Sequence, residues 1–155
     1  MNNKTIKICL AASSGGHLEQ LLKLNSLLKE FDGFIVTEKT DYNVISKNKA
    51  YYLKQINRKE KGFINKLISN TYNSYKILKK ENPDVIITTG VLAIVPLCLL
   101  AKLKRKKLIY IESFAKISSP TLTGRLLYPF ADQFYIQWPS LKKIYPKAIY
   151  KGGIY

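Results

Sequence analysis

The chain holds one histidine, His17, and it directly follows Ser13, Ser14, Gly15 and Gly16. Adjacent glycines let backbone N–H groups approach an anion closely, and a helix start adds partial positive charge. A histidine at such a start tends toward a lowered pKa, which keeps the ring neutral and able to accept a proton. The segment therefore reads as an anion cradle beside a general base, or as a tight strand-to-helix turn. It is not a Walker A loop, since no Gly-Lys-Ser/Thr follows. Nor is it the G-x-G-x-x-G dinucleotide fingerprint, and no acid ends strand two, expected at 33–37. Thr88, Thr89 and Gly90 offer two hydroxyls and a glycine at another helix start, suited to a second phosphate contact or to N-capping. Glu112 and Ser113 follow the apolar run K-L-I-Y-I. A carboxylate there suits sugar hydroxyls or the cap of a neighbouring helix. Trp138, the single tryptophan, reads as core packing or as a partner anchor.

These groups come together only if the segments before them are strands sharing one edge. Apolar runs at 6–12, 33–37, 50–53, 84–88, 107–111 and 133–137 read as strands, with a last one near 147–151. Helical spacing of apolar residues predicts helices over 17–31, over about five turns from Phe63 and ending before Asn82-Pro83, over 91–103 and over 121–130, with a helical turn from Pro139. Pro96 kinks the third of these or limits its start. Strands alternating with helices through short connections imply a parallel sheet covered on both faces. The expected fold is a single α/β domain over 1–155, an open, doubly wound, Rossmann-like sheet. Ligands then bind beyond the carboxyl ends of the strands, where the four loops lie.

Composition narrows the chemistry. In 155 residues, 26 Lys+Arg against 10 Asp+Glu give a net charge of +16, so the partner is anionic. A hydrophobic content of 46% excludes a mostly disordered chain. The apolar run 91–101, broken by Pro96, falls short of the ~20 residues a membrane span needs. The N-terminus lacks a small-residue cleavage pattern, so no signal peptide is expected. Cys9 and Cys98 lie in apolar runs and read as buried thiols of a reducing compartment. They are too few for a metal site, and no cofactor is expected. Lys102, Lys104, Arg105, Lys106 and Lys107 adjoin the apolar run, a pairing that fits an anionic membrane surface. Nucleic acid finds no support in an RNP-like strand, a helix-turn-helix or a KH loop.

Taken in order, S-S-G-G-H-L, T-T-G, I-E-S-F and A-D-Q-F-Y-I-Q-W-P resemble the acceptor-side subunit of two-part glycosyltransferases. That family includes the membrane-recruiting subunit of the eukaryotic dolichyl-diphosphooligosaccharide N-acetylglucosamine transferase and bacterial capsule and exopolysaccharide proteins. It is similar to the N-terminal half of the peptidoglycan lipid-intermediate glycosyltransferase, a GT-B enzyme with a G-G-x-G-G-H loop; here one of those glycines is missing. The resemblance implies a chain that holds a lipid-diphosphate-linked saccharide while a catalytic partner subunit holds a UDP-sugar, active only as a pair. It implies His17 as base, Glu112 as an acceptor-orienting residue, and Ser13, Ser14, Gly15, Gly16, Thr88, Thr89, Gly90 and Ser113 around the acceptor and its diphosphate. Trp138, Gly152 and Gly153 would face the partner. Attachment would be peripheral, on the cytoplasmic side of the cell membrane, through 91–107 and the 61–80 helix. A non-catalytic recruiter of the active partner is the alternative.

Overall fold

The computed structural model describes residues 5–40 and 49–155; residues 1–4 and 41–48 of the expected 1–155 domain lie outside it. Seven strands form: β1 (Lys7–Ala12), β2 (Asp32–Glu38), β3 (Ala50–Leu53), β4 (Val85–Gly90), β5 (Lys107–Ile111), β6 (Gln133–Ile136) and β7 (Ile149–Tyr150). All pair in parallel, in the order β3-β2-β1-β4-β5-β6-β7. The expected Rossmann-like sheet is thus present. Its strands read as unbroken apolar runs because both faces are covered, and side chains alternate between two cores. Cys9 and Ala11 of β1 join Phe34, Ile86, Leu108 and Phe134 on one face, whereas Ile8, Leu10 and Ala12 join Ile35 and Ile87 on the other.

The first core lies under α3 (Phe63–Glu81), α4 (Val95–Leu103) and α5 (Leu122–Leu127), with α4 packed between its neighbours. The second lies under α1 (Gly16–Leu22), α2 (Leu27–Glu30) and the apolar side chain of Ile154. Over β4, β5 and β6 that cover is thin, and an apolar cavity of about 340 Å³ opens between Leu24, Leu27, Ile109 and 152–154.

Two helices differ from expectation. The single helix over 17–31 is broken between Leu22 and Leu27, where i→i+3 bonds (Leu24 N–H to Leu21, Asn25 N–H to Leu22, Leu27 N–H to Leu24) tighten the chain. Asn25 and Ser26 favour such turns over continued helix. The helix over 91–103 is a 3₁₀ turn, Leu92–Ile94, followed by α4; Pro96 sits in its first turn, where the missing N–H costs nothing. Helix α3 ends as expected, at Glu81, with Asn82 left-handed (φ 44°) before Pro83.

Glu81 fastens that end to the sheet. Its side chain is 2% exposed and pairs with Lys7 of β1 (2.8 Å) and Lys49 (2.6 Å), while the Tyr51 hydroxyl of β3 donates to it. Burial alone would raise its carboxyl, but hydrogen bonds from Lys49, Lys7 and Tyr51 outweigh that and hold it at about 2. A depressed folded pKa contributes stability that is present above the ordinary value of 4.5 and lost as pH falls through about 2. Glu81→Gln should cost about 3–5 kcal/mol at neutral pH. Urea midpoints at pH 7 and pH 3 should fall less steeply with acid in the variant than in the parent; parallel falls would contradict the assignment.

Candidate functional site

The chain runs outward from β1 through β2 to β3, then returns to place β4 on the other side of β1. This reversal opens a crevice at the carboxyl ends of β1 and β4. Ser13 is buried and Ser14 half-buried after β1, while Gly15 and Gly16 are exposed. Gly15 has φ 78° with open space around a would-be Cβ, so the backbone conformation, not crowding, demands glycine. Its carbonyl accepts the Leu18 and Glu19 N–H groups (2.9 and 3.0 Å), starting α1.

Across the crevice, the Thr89 hydroxyl donates to the His17 carbonyl (2.9 Å), joining the two loops. Thr88 accepts the Gly90 N–H (3.0 Å). Both threonines are fully buried. The expected pair of free phosphate-binding hydroxyls is therefore corrected: Thr88 shapes the turn, and Thr89 forms cavity wall with its proton already committed. Gly90 has φ 90°, and a Cβ there would stand 2.5 Å from the Tyr110 hydroxyl. Val91 follows at φ 135°, a strained value for a β-branched residue.

His17 stands between two cavities. One, of about 360 Å³, is lined by Gly16, Gln20, Ser113, Phe114 and Tyr155; the other, of about 220 Å³, by Arg58, Thr89, Tyr110, Thr121 and Thr123. Its Nδ1 is enclosed without a hydrogen-bond partner. Burial lowers its pKa from 6.5, against smaller opposing effects of the Thr89 backbone and the Glu112 charge. The ring is thus neutral at physiological pH and can take a proton.

Glu112 does not face the crevice, and its expected contact with an acceptor is corrected. It is fully buried, and its carboxyl accepts the Ser113 N–H (2.9 Å), the Thr121 N–H (3.2 Å), the Thr121 hydroxyl (2.8 Å) and the Tyr145 hydroxyl (2.9 Å). Four donors leave no site for a sugar hydroxyl. Glu112 instead ties the 112–114 loop to α5, whose cap Thr121 accepts the Gly124 N–H (2.9 Å). Gln20 and Gln137 complete the clamp: the side-chain amide of each donates to the Glu112 carbonyl. Trp138 donates to the Phe114 carbonyl (2.7 Å) and packs on its ring, so it holds this loop as well. A Cβ on Gly153 would touch Phe114, whereas Gly152 is open.

Sequence reasoning missed Glu38. Strand β2 runs one residue past its expected end and finishes on this acid, which is buried and accepts N–H groups from Ile56 (3.4 Å) and Ser14. Burial raises its pKa and those N–H groups oppose the rise. Facing inward, it cannot bind a ribose; it pins the Ser14 loop to the segment after β3. An acid at the end of an apolar run, in a chain with so few, was the available signal.

The basic cluster is also corrected. Lys107 begins β5 and pairs with Val85, the start of β4, so 102–107 lies at the amino edge of the sheet, a strand's length (roughly 17 Å) from Gly15 and Gly16. Lys102 and Lys107 are held by Asp132 (2.7 and 3.3 Å), leaving Lys104, Arg105 and Lys106 of the five expected lipid contacts with no ion pair among the described residues. In α4, Val95, Leu97, Cys98 and Ala101 are buried; Leu103 is the strongly exposed apolar residue of the block.

Because Glu112 organises this edge from within, Glu112→Ala should destabilise the protein by about 3 kcal/mol or more. Gly124→Ala should follow it, since its Cβ would overlap the Glu112 carboxyl and the Tyr145 hydroxyl. Chemical denaturation checks both; parent-like midpoints would contradict the buttress role.

A family model described as "Oligosaccharide biosynthesis protein Alg14 like" matches residues 8–154. The UDP-N-acetylglucosamine transferase subunit ALG14 of Rattus norvegicus is 25% identical over 97% of this chain and 84% of its own length. Among solved structures, MurG of Acinetobacter baumannii superposes at TM-score 0.70 (17% identity, 87% of this chain, 42% of that one). A UDP-N-acetylglucosamine 2-epimerase from Rickettsia bellii does so at 0.75 (11% identity, 97% and 45%). The chain spans less than half of these two enzymes, and the likeness shows the fold, that of one Rossmann-like half of a GT-B structure. The chain belongs to the Alg14-like family of oligosaccharide biosynthesis proteins.

Proposed function

We propose that this chain is the acceptor-side subunit of a two-subunit glycosyltransferase that extends a lipid-diphosphate-linked saccharide in surface polysaccharide synthesis. The observation that carries it is His17: a neutral imidazole at the switch point of the sheet, shared by two cavities, in a domain that superposes on one half of MurG. Its relatives carry the name of a UDP-N-acetylglucosamine transferase subunit, which favours a catalytic partner that holds the nucleotide sugar. The acceptor diphosphate would lie in the smaller cavity, against His17 and Thr89. His17 Nε2 takes the proton of the acceptor hydroxyl, that oxygen attacks the anomeric carbon with inversion, and the nucleotide diphosphate leaves on the partner. The partner would bear on Phe114 and Tyr155, which line the larger cavity, and on Trp138 and 151–154 beside them.

A lipid-linked acceptor keeps the subunit peripheral at the membrane, on its cytoplasmic side in this reading. The exposed stripe of α3, Ile64, Ile68, Tyr72 and Tyr75, is the better contact: it starts at the crevice edge, and Lys76 and Lys104 lie over its two tyrosine rings.

With the partner present, His17→Ala should lower turnover about 10²–10⁴-fold while the complex persists. The acid limb of the parent's pH–rate profile should lie below 6.5. Near-normal turnover of the variant would leave the chain as a recruiter only. Ile64→Glu with Ile68→Glu should reduce pelleting with anionic vesicles several-fold, and unchanged pelleting would move the contact off α3.

A further inference from the structure

The smaller cavity contains a cation that the reading above leaves unused. Arg58 lines it together with His17, Thr89, Thr121 and Thr123. Strand β3 lies on the far side of β2 from β1, so the segment after it must reach back over the carboxyl edge to place Arg58 there. Several bonds fix that reach. Asn70 of α3 accepts the Lys54 N–H (2.9 Å) and donates to the Lys54 carbonyl (2.7 Å). Ile56 is buried and gives its N–H to Glu38, which also holds Ser14. Arg58 then sits in a short turn closed by the Glu60 N–H on the Asn57 carbonyl (3.2 Å) and the Asn57 N–H on the Glu60 carboxyl (3.1 Å).

Nearby acids do not neutralise it. Glu60 is taken by Lys66 (2.9 Å), and Glu38 and Glu112 turn their carboxyls into the protein. Among the described residues no carboxylate pairs with Arg58. The cavity is lined by Arg58 and the threonines beside Val91, Leu92 and Leu122, with no acid among its lining residues. At about 220 Å³ it is smaller than the roughly 300–1,000 Å³ of pockets that enclose whole small molecules. It suits an anionic head group with the rest of the ligand outside.

We propose that Arg58 selects the acceptor by binding its diphosphate in this cavity, next to His17. The proposal rests on the acceptor-side reading and adds the residue that recognises the charge. A planar guanidinium can give two parallel N–H bonds to phosphate oxygens, which a point-charge lysine matches less well, and a diphosphate offers more charge and more acceptor oxygens than a single phosphate. Arg58 is a binding residue in this role and does not move the proton.

Calorimetric titration of the full chain, at fixed ionic strength, with inorganic diphosphate, inorganic phosphate, a short-chain prenyl diphosphate and UDP tests it. The parent should bind both inorganic and prenyl diphosphate about ten-fold or more tighter than phosphate, and UDP no tighter than inorganic diphosphate. Arg58→Gln should weaken diphosphate binding about 10–100-fold, and Arg58→Lys should recover part of the loss, with urea midpoints unchanged in both. Parent-like affinity in Arg58→Gln, with the preference for diphosphate retained, would overturn the role of Arg58 and leave the acceptor-side reading standing. No preference for diphosphate over phosphate in the parent would overturn both. Arg58-dependent binding of UDP tighter than prenyl diphosphate would assign the cavity to the donor and overturn the proposal.

Discussion

The crevice depends on a carboxyl group that never reaches it. Glu112 ends β5 and points inward, accepting hydrogen bonds from its own loop, from the α5 cap and from Tyr145. A buried polar group stripped of partners is costly, so the loop, the helix cap and Tyr145 are constrained as one unit. Gly124 is part of the same constraint, because any side chain there would occupy the space of the carboxyl. Ser113 and Phe114 line the larger His17 cavity because this unit fixes their backbone. On the other flank Glu38 repeats the device at the end of β2, joining the Ser14 loop to the segment that carries Arg58.

Turning acids inward also shapes the field of the protein. Among the described residues, Glu38, Glu81 and Glu112 are buried and bonded, so the exposed surface is more cationic than the net charge of +16 suggests. The smaller cavity is lined by Arg58 and no acid, alongside threonines and Val91, Leu92 and Leu122, a balance of charge that favours an anionic head group. Asp132 does the opposite at the amino edge. It ties up Lys102 and Lys107, and hydrogen bonds from Lys102, the Leu108 N–H and Lys107 outweigh its burial and hold its carboxyl at about 2. The densest run of positive charge in the sequence is therefore partly spent on joining α4 to β5 and β6.

The fold was legible because parallel strands covered on both faces leave continuous apolar runs, and each of the seven runs became a strand of the sheet. The meeting of the His17 and Thr89 loops was legible because a doubly wound sheet places strand-end loops together. Side-chain direction was not legible. Glu112 looked like a ligand because an acid at a strand end can face either way, and only the positions of Thr121 and Tyr145, distant in sequence, decide it. The edge on which 102–107 falls follows from the length of α4, which carries the chain from one end of the sheet to the other before β5 begins. The break at 22–27 escaped notice because Leu18, Leu21, Leu22 and Leu28 keep helical spacing across a turn of i→i+3 bonds.

The same contacts explain why such a chain would need its partner under the proposed reading. Residues 151–155 cross the carboxyl edge, where the Ile154 N–H binds Gln137 (2.9 Å) and Tyr155 stacks edgewise on Phe114. Gln137 in turn donates to the Glu112 carbonyl (2.7 Å). Whatever displaces or covers 151–155 thus acts on Gln137 and Phe114, and so on the loop beside His17. Burying this edge would also exclude water from His17, lowering its pKa further and strengthening its interactions with a bound anion. A second subunit placed there would complete the donor side and tune the acceptor side through one hydrogen-bonded path. Under the proposed reading, the acceptor side would be folded with its base in place, and association would set its final electrostatics.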